Sequence, residues 1–276
     1  MRIAASHWRS AVHVGALRAF ALLTVLATMI GGPGATLADN WSMSITVDNY
    51  YDIYFGDQFL TTPTFVGGDG DWTTTETWGI TGVAATDFLY VPTASDHFVA
   101  QGFIGEFKNL TTGYTFVTSN DSGSPWEVFP AGQYLAALNA LDPTIPAGVW
   151  PASTQPTVTQ VQTAVAYATT NGLWVATDSA ASYTNGDSPL PWGTRPSIPA
   201  SAEWIWHDSG GVPSGAYPSP FQGGNHNEFL VFRVEGAAIP EPTTLVLLSC
   251  GIVVCGIVVA GAGTRRQRTR SLSNRP

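Results

Sequence analysis

From Trp41 onward, apolar and polar positions alternate with period two, the pattern of strands that bury one face. Segments 44–48 and 52–55 are predicted as short strands, with Gly56 and Asp57 supplying a tight hairpin turn that leads into 58–60. The glycine-rich stretch 67–71 is predicted as a loop. Further strands are expected at 77–80, 87–91, 98–100, 103–108, 114–118 and 126–129, separated by Gly, Pro, Asn and Asp at the spacing of a β-sandwich. The period then changes. Within 157–171, Val158, Val161, Val165 and Ala168 share one helical face and Gly172 stops the run, which predicts an amphipathic helix. A weaker helix is predicted over 132–140, and proline-bearing loops surround both. Strand texture resumes at 202–207 and 228–234. The fold class expected is mainly β, a sandwich with a helix-bearing insertion over about 131–200.

Both ends of the chain carry uncharged apolar runs. Arg2, Arg9 and Arg18 precede the run 19–30, and Ala38 offers a small residue for cleavage ahead of Asp39. Residues 1–38 therefore read as a secretory signal peptide, its apolar part too short for a comfortable span. At the other end, 245–263 holds 19 residues without a charge. As a helix it measures roughly 28 Å, close to a bilayer's hydrocarbon thickness. Arg265, Arg266, Arg268 and Arg270 follow it and place the C-terminus on the cytoplasmic side. An exported body of residues 39–238 remains between the two signals.

Charge narrows what that body meets. Its three basic residues, Lys108, Arg195 and Arg233, stand against 19 acidic ones, a balance of −16. Such a surface repels nucleic acid and anionic headgroups. Both cysteines, Cys250 and Cys255, lie in the C-terminal apolar run, so the body has neither a disulfide nor a thiol nucleophile.

Little in the body announces catalysis. His97, His207 and His226 stand at no metal-ligand spacing, and there is no Gly-x-Ser-x-Gly elbow and no phosphate-cradling glycine motif. No catalytic residue is assigned, and the body is expected not to be an enzyme. Asp69 and Asp71 are weighed as a calcium loop, but the sequence departs from the EF-hand pattern, and solvated loop acids are the simpler reading. Trp72, Trp150 and Trp192 lie beside Gly, Asp or Pro and are candidates for a carbohydrate-stacking platform. Trp204 and Trp206 share one face of their strand and are expected in the core together.

The tail, Pro240-Glu241-Pro242 followed by the apolar run and the arginines, resembles the PEP-CTERM sorting signal. That resemblance implies an exosortase as processing partner, a single-pass inner-membrane stage, and delivery to the cell envelope or extracellular matrix. The body is similar to the galactose-binding-like jelly-roll sandwich of glycoside-hydrolase accessory domains. The similarity runs through the hairpin 47–57, the strand 101–107, Thr118 and Ser119 to Trp126, the Pro191-Trp192-Gly193 loop and the Trp204-Ile205-Trp206 strand. It implies a non-catalytic surface protein associated with exopolysaccharide. A structural matrix or surface-layer role is the alternative, and a glycan-active enzyme the third.

Overall fold

The computed structural model describes residues 38–97, 100–119, 124–207 and 229–235. Six of its strands form one antiparallel sheet: β1 (Asp39–Asp48), β4 (Glu76–Val83), β6 (Gly102–Asn109), β7 (Thr115–Val117), β10 (Asp178–Thr184) and β11 (Glu203–Trp206). Their order is β10-β11-β6-β1-β4, with β7 also paired to β6. The second antiparallel sheet holds β2 (Tyr50–Gly56), β3 (Thr64–Asp69), β5 (Phe88–Ala94), β8 (Glu127–Phe129), β9 (Val175–Ala176) and β12 (Phe229–Val234), in the order β3-β2-β5-β12-β8-β9.

The main core lies between the sheets. Met43, Ile45 and Val47 of β1, with Phe103 and Phe107 of β6, meet Ile53 and Phe55 of β2, Leu89 and Val91 of β5, and Leu230 and Phe232 of β12. Aromatic side chains fill much of it. Phe103 and Trp126 pack edge to face at 5.0 Å, and Phe107 stacks on Phe116 at 5.2 Å. Each such ring removed from water contributes about 1.5–3 kcal/mol, which helps hold together a body without disulfides. Trp204 and Trp206 are both fully buried here, as period two requires.

The second sheet is covered on both faces. Phe229 and Val231 of β12, Tyr90 of β5, Tyr54 of β2 and Phe129 of β8 point away from the first sheet and into a helical layer. Burial on both faces explains why β12 reads as a nearly continuous apolar run rather than an alternation. The layer consists of a 3-10 turn at Ala131–Tyr134, helix α1 (Leu135–Leu141) and helix α2 (Val158–Asn171). At the start of α2, the Thr157 hydroxyl accepts from the Gln160 amide at 3.4 Å. The Gln160 Oε1 accepts in return from the Thr157 amide at 2.8 Å. This is a capping box, and Gly172 closes the helix at φ 63°, a left-handed conformation that glycine adopts without strain. Val161, Ala164, Val165 and Ala168 form its buried face, while Val158, in the first turn, remains 39% exposed.

Several expectations change. The tight turn at Gly56 and Asp57 is instead part of a wider loop over 57–63 that leads into β3. Asp57 builds that wider loop: its Oδ1 accepts from the Phe59 amide at 2.8 Å and the Thr61 amide at 3.2 Å. The predicted loop 67–71 is strand through Asp69. Gly67 sits there because a Cβ would lie 2.3 Å from the Trp78 ring, so only glycine lets that indole lie flat on β3. Strands β9 and β10 were not expected at all. Of the strand predicted at 98–100, only Ala100 is among the described residues. Outside them lie residues 1–37 of the expected leader, His226, Pro240, Glu241, Pro242, the run 245–263 and the four arginines after it. Among the described residues no helix is long and apolar enough to cross a membrane.

Candidate functional site

Three of the residues singled out in the sequence, Asp71, Trp72 and Trp192, are gathered around Arg195. Its Nη1 donates to the backbone carbonyls of Trp72 at 3.0 Å and Thr73 at 2.9 Å, and its Nη2 donates to the carbonyl of Trp192. The guanidinium carbon lies 5.8 Å from the centre of the Trp72 ring. Arg195 is only 6% exposed and ties the 71–75 loop to the 190–196 loop. Burial pulls its pKa down, while the carboxylates of Asp48, Glu76 and Asp71 oppose that.

Beneath this pair of loops, the indole nitrogen of Trp192 donates to Asp48 at 2.8 Å, and its ring stacks on Trp204 at 4.3 Å and 16°. Burial pushes the Asp48 carboxyl up to about 7, further than the indole hydrogen bond can lower it; Asp96 adds to the rise and Arg195 reduces it. Beside them, Trp78 donates through its indole nitrogen to the Tyr51 hydroxyl at 3.0 Å. That hydroxyl donates in turn to Glu76 at 3.2 Å.

The tryptophan platform is corrected by burial. Trp150 is 1% exposed and Trp192 3%, so neither offers a face to a sugar ring. Trp150 belongs to the helical side, packed on Phe229 at 4.7 Å with its indole nitrogen donating to the Thr154 carbonyl at 2.7 Å. Tryptophan beside proline or glycine here marks a loop anchored into the core. Trp72 alone of the three is partly open.

Each of the two calcium candidates commits its Oδ1 to its own turn. Asp69 Oδ1 accepts from the amides of Gly70 and Asp71, the latter at 3.0 Å. Asp71 Oδ1 accepts from the amide of Thr73 at 3.0 Å and from its hydroxyl at 2.6 Å. Among the described residues no three His, Cys, Asp or Glu side chains gather as a metal ion requires. Of the histidines, His207 sets Nδ1 3.3 Å from Asp178.

A second feature escaped the sequence reading. An open cleft of about 580 Å³ lies at the C-terminal end of α2, lined by Gln58, Phe88, Glu127, Thr169, Trp174 and Arg233 among others. Arg233 of β12 stands directly opposite Glu127 of β8 in the antiparallel ladder. Its Nε and Nη2 both donate to Glu127 Oε2, at 2.8 and 2.6 Å. The guanidinium carbon is 3.9 Å from the centre of the Trp174 ring and 5.2 Å from that of Phe88, so the cation lies between two aromatic walls. Trp174 is itself fixed by donating to the Thr169 hydroxyl at 3.1 Å. One sequence signal pointed here: Arg233 is the lone charge in the apolar run of β12.

No protein-family model, curated protein or solved structure matches the chain.

Proposed function

We propose that this chain is an exported, non-catalytic cell-envelope protein whose β-sandwich body associates with extracellular polysaccharide. In this reading the leader directs export. The Pro240-Glu241-Pro242 tail serves as a sorting signal that holds the protein in the inner membrane until an exosortase-type enzyme releases it. The body is a galactose-binding-like jelly roll with a helical insertion. Support for the finer fold comes from the order of its pieces: β1 and β2, which enter different sheets instead of pairing as the expected hairpin over 47–57, then the glycine-bearing β6, the Trp192 loop and the Trp204–Trp206 strand follow one another in that family's order.

The observation that carries the polysaccharide reading is the partly open Trp72 indole, backed by the buried Arg195 and flanked by the exposed Asp71 and Thr73. An indole face matched to the apolar face of a pyranose, with acceptors and hydroxyls beside it, is suited to a neutral or weakly charged glycan. The non-catalytic reading draws on Asp48. This carboxyl has the pKa of a general acid but is 4% exposed and already bonded to Trp192, out of a substrate's reach.

Affinity electrophoresis through gels containing the organism's own exopolysaccharide tests this. The expected result is retardation of the purified protein that Trp72→Ala weakens several-fold. Migration unaffected by the polysaccharide would leave only a structural role.

A further inference from the structure

We propose that the cleft between Trp174, Phe88 and the Arg233–Glu127 pair is a second binding site, for an uncharged, hydroxyl-rich ligand, a segment of neutral glycan. The proposal rests on the polysaccharide reading for the choice of a glycan; the place and the charge class come from the cleft itself.

The floor of the cleft is fixed before any ligand arrives. Arg233 is held by two hydrogen bonds to one carboxylate oxygen, by the cross-strand register of β8 and β12, and by aromatic rings on both sides. A polar group locked this way loses little further freedom on binding. The same arrangement leaves hydrogen-bonding capacity facing the opening. Because Nε and Nη2 share Oε2, the other Glu127 oxygen, Oε1, has no partner among the described residues, and the Glu127 side chain is 46% exposed. The Gln58 side-chain amide at the rim likewise carries no hydrogen bond among the described residues; only its backbone carbonyl is used, by the Thr169 hydroxyl. A carboxylate acceptor, an amide donor and acceptor, and an apolar ring wall at Phe88 are the groups that recognise vicinal hydroxyls on a ring with one apolar face. The volume of about 580 Å³ falls within the ordinary range of small-ligand sites.

Charge decides between ligand classes. A polyanion would approach a body whose balance is −16 and would then meet, beyond the mutually neutralised Arg233–Glu127 pair, the carboxylate of Glu235 in the described lining. A cationic peptide would be drawn to the body at large but, with Glu127 already paired to Arg233, would give up its hydration for a single further carboxylate in the described lining, that of Glu235. A neutral polyol pays neither cost.

Titration calorimetry on the purified full-length chain in detergent tests this, with cellohexaose, mannohexaose and maltohexaose as neutral probes and an alginate hexamer as the acidic one. At least one neutral hexasaccharide is expected to bind. Glu127→Gln and Gln58→Ala, both at exposed side chains, should each weaken it about fivefold, the worth of one lost polar contact, while Trp72→Ala leaves it unchanged. Unaltered near-ultraviolet circular dichroism shows that the variants fold. The proposal is overturned if no neutral probe binds, if the alginate hexamer binds more tightly, or if Trp72→Ala alone weakens binding. Retardation on native exopolysaccharide without binding of any neutral hexasaccharide would remove this site and leave the broader reading in place.

Discussion

Trp192 and Asp48, 144 positions apart, meet in a buried hydrogen bond of 2.8 Å from indole nitrogen to carboxylate oxygen. The contact joins the end of β1 to the loop before β11 and sets the Trp192 ring flat on Trp204. It also places an ionisable group where water cannot solvate its charge.

That burial makes stability depend on pH. The folded-state pKa of Asp48 is about 7 against an ordinary 3.8, so between these values the folded protein holds a proton that the unfolded chain has released. Stability should therefore fall as pH rises from about 4 to 7 and level off above 7, with an upper bound of about 4 kcal/mol. Asp48→Asn keeps the acceptor for Trp192 and removes the titration. Urea unfolding at pH 5 and pH 8 should show a loss for the wild type that is largely absent in the variant. Equal losses in both would contradict the assignment.

Two strand glycines should respond oppositely to a methyl group. On β3, a Cβ at Gly67 meets the Trp78 ring at 2.3 Å, so Gly67→Ala must displace the indole and should cost about 1–3 kcal/mol. On β4, the nearest atom to a Cβ at Gly79 is the Trp41 carbonyl oxygen at 3.6 Å, an ordinary contact. Gly79→Ala should be neutral or slightly stabilising, since it removes only unfolded-state freedom. Chemical denaturation of the two variants measures the difference, and equal costs would refute the packing account of β3.

Helix α2 owes its start to the Thr157 and Gln160 exchange. Thr157→Ala should destabilise the body by about 1 kcal/mol, a drop in Tm of roughly 2–4 °C for a body of this size. Thr157→Ser, which retains the oxygen, should recover most of it. Calorimetric melts showing no difference between the alanine and serine variants would remove the cap from the account.

Local chemistry was legible in the sequence, and long-range placement was not. The extent of α2 followed from the periodic Val161, Val165 and Ala168 and from the stop at Gly172, all signals within one segment. The core positions of Trp204 and Trp206 followed from period two. The Gly56 turn failed because Asp57, through its carboxylate, stabilises a wider loop over a two-residue one. The glycines of β3 looked like a loop because their reason for being there, the Trp78 ring, arrives from another strand. The cleft was invisible for the same reason: Arg233 and Glu127 lie 106 positions apart and meet only through the β8–β12 register. Trp150 and Trp192 misled because loop context alone does not tell an anchored ring from an open one.

Envelope delivery by the C-terminal tail is the central claim, and two tags on one chain test it most directly. One tag sits in the body, within 39–238, and one follows Pro276; cells are fractionated and both tags are followed by immunoblot. Processing is expected around the prolines at 240 and 242 because proline disfavours helix at its own position and at the residue before it. Processing there should send the body tag to the envelope or extracellular fraction on a shortened species, and keep the C-terminal tag in the membrane on a small fragment. Joint substitution Pro240→Ala, Glu241→Ala and Pro242→Ala should hold both tags on one membrane band. A single membrane band bearing both tags in the unsubstituted protein, unchanged by those substitutions, would contradict the account and leave a permanent anchor.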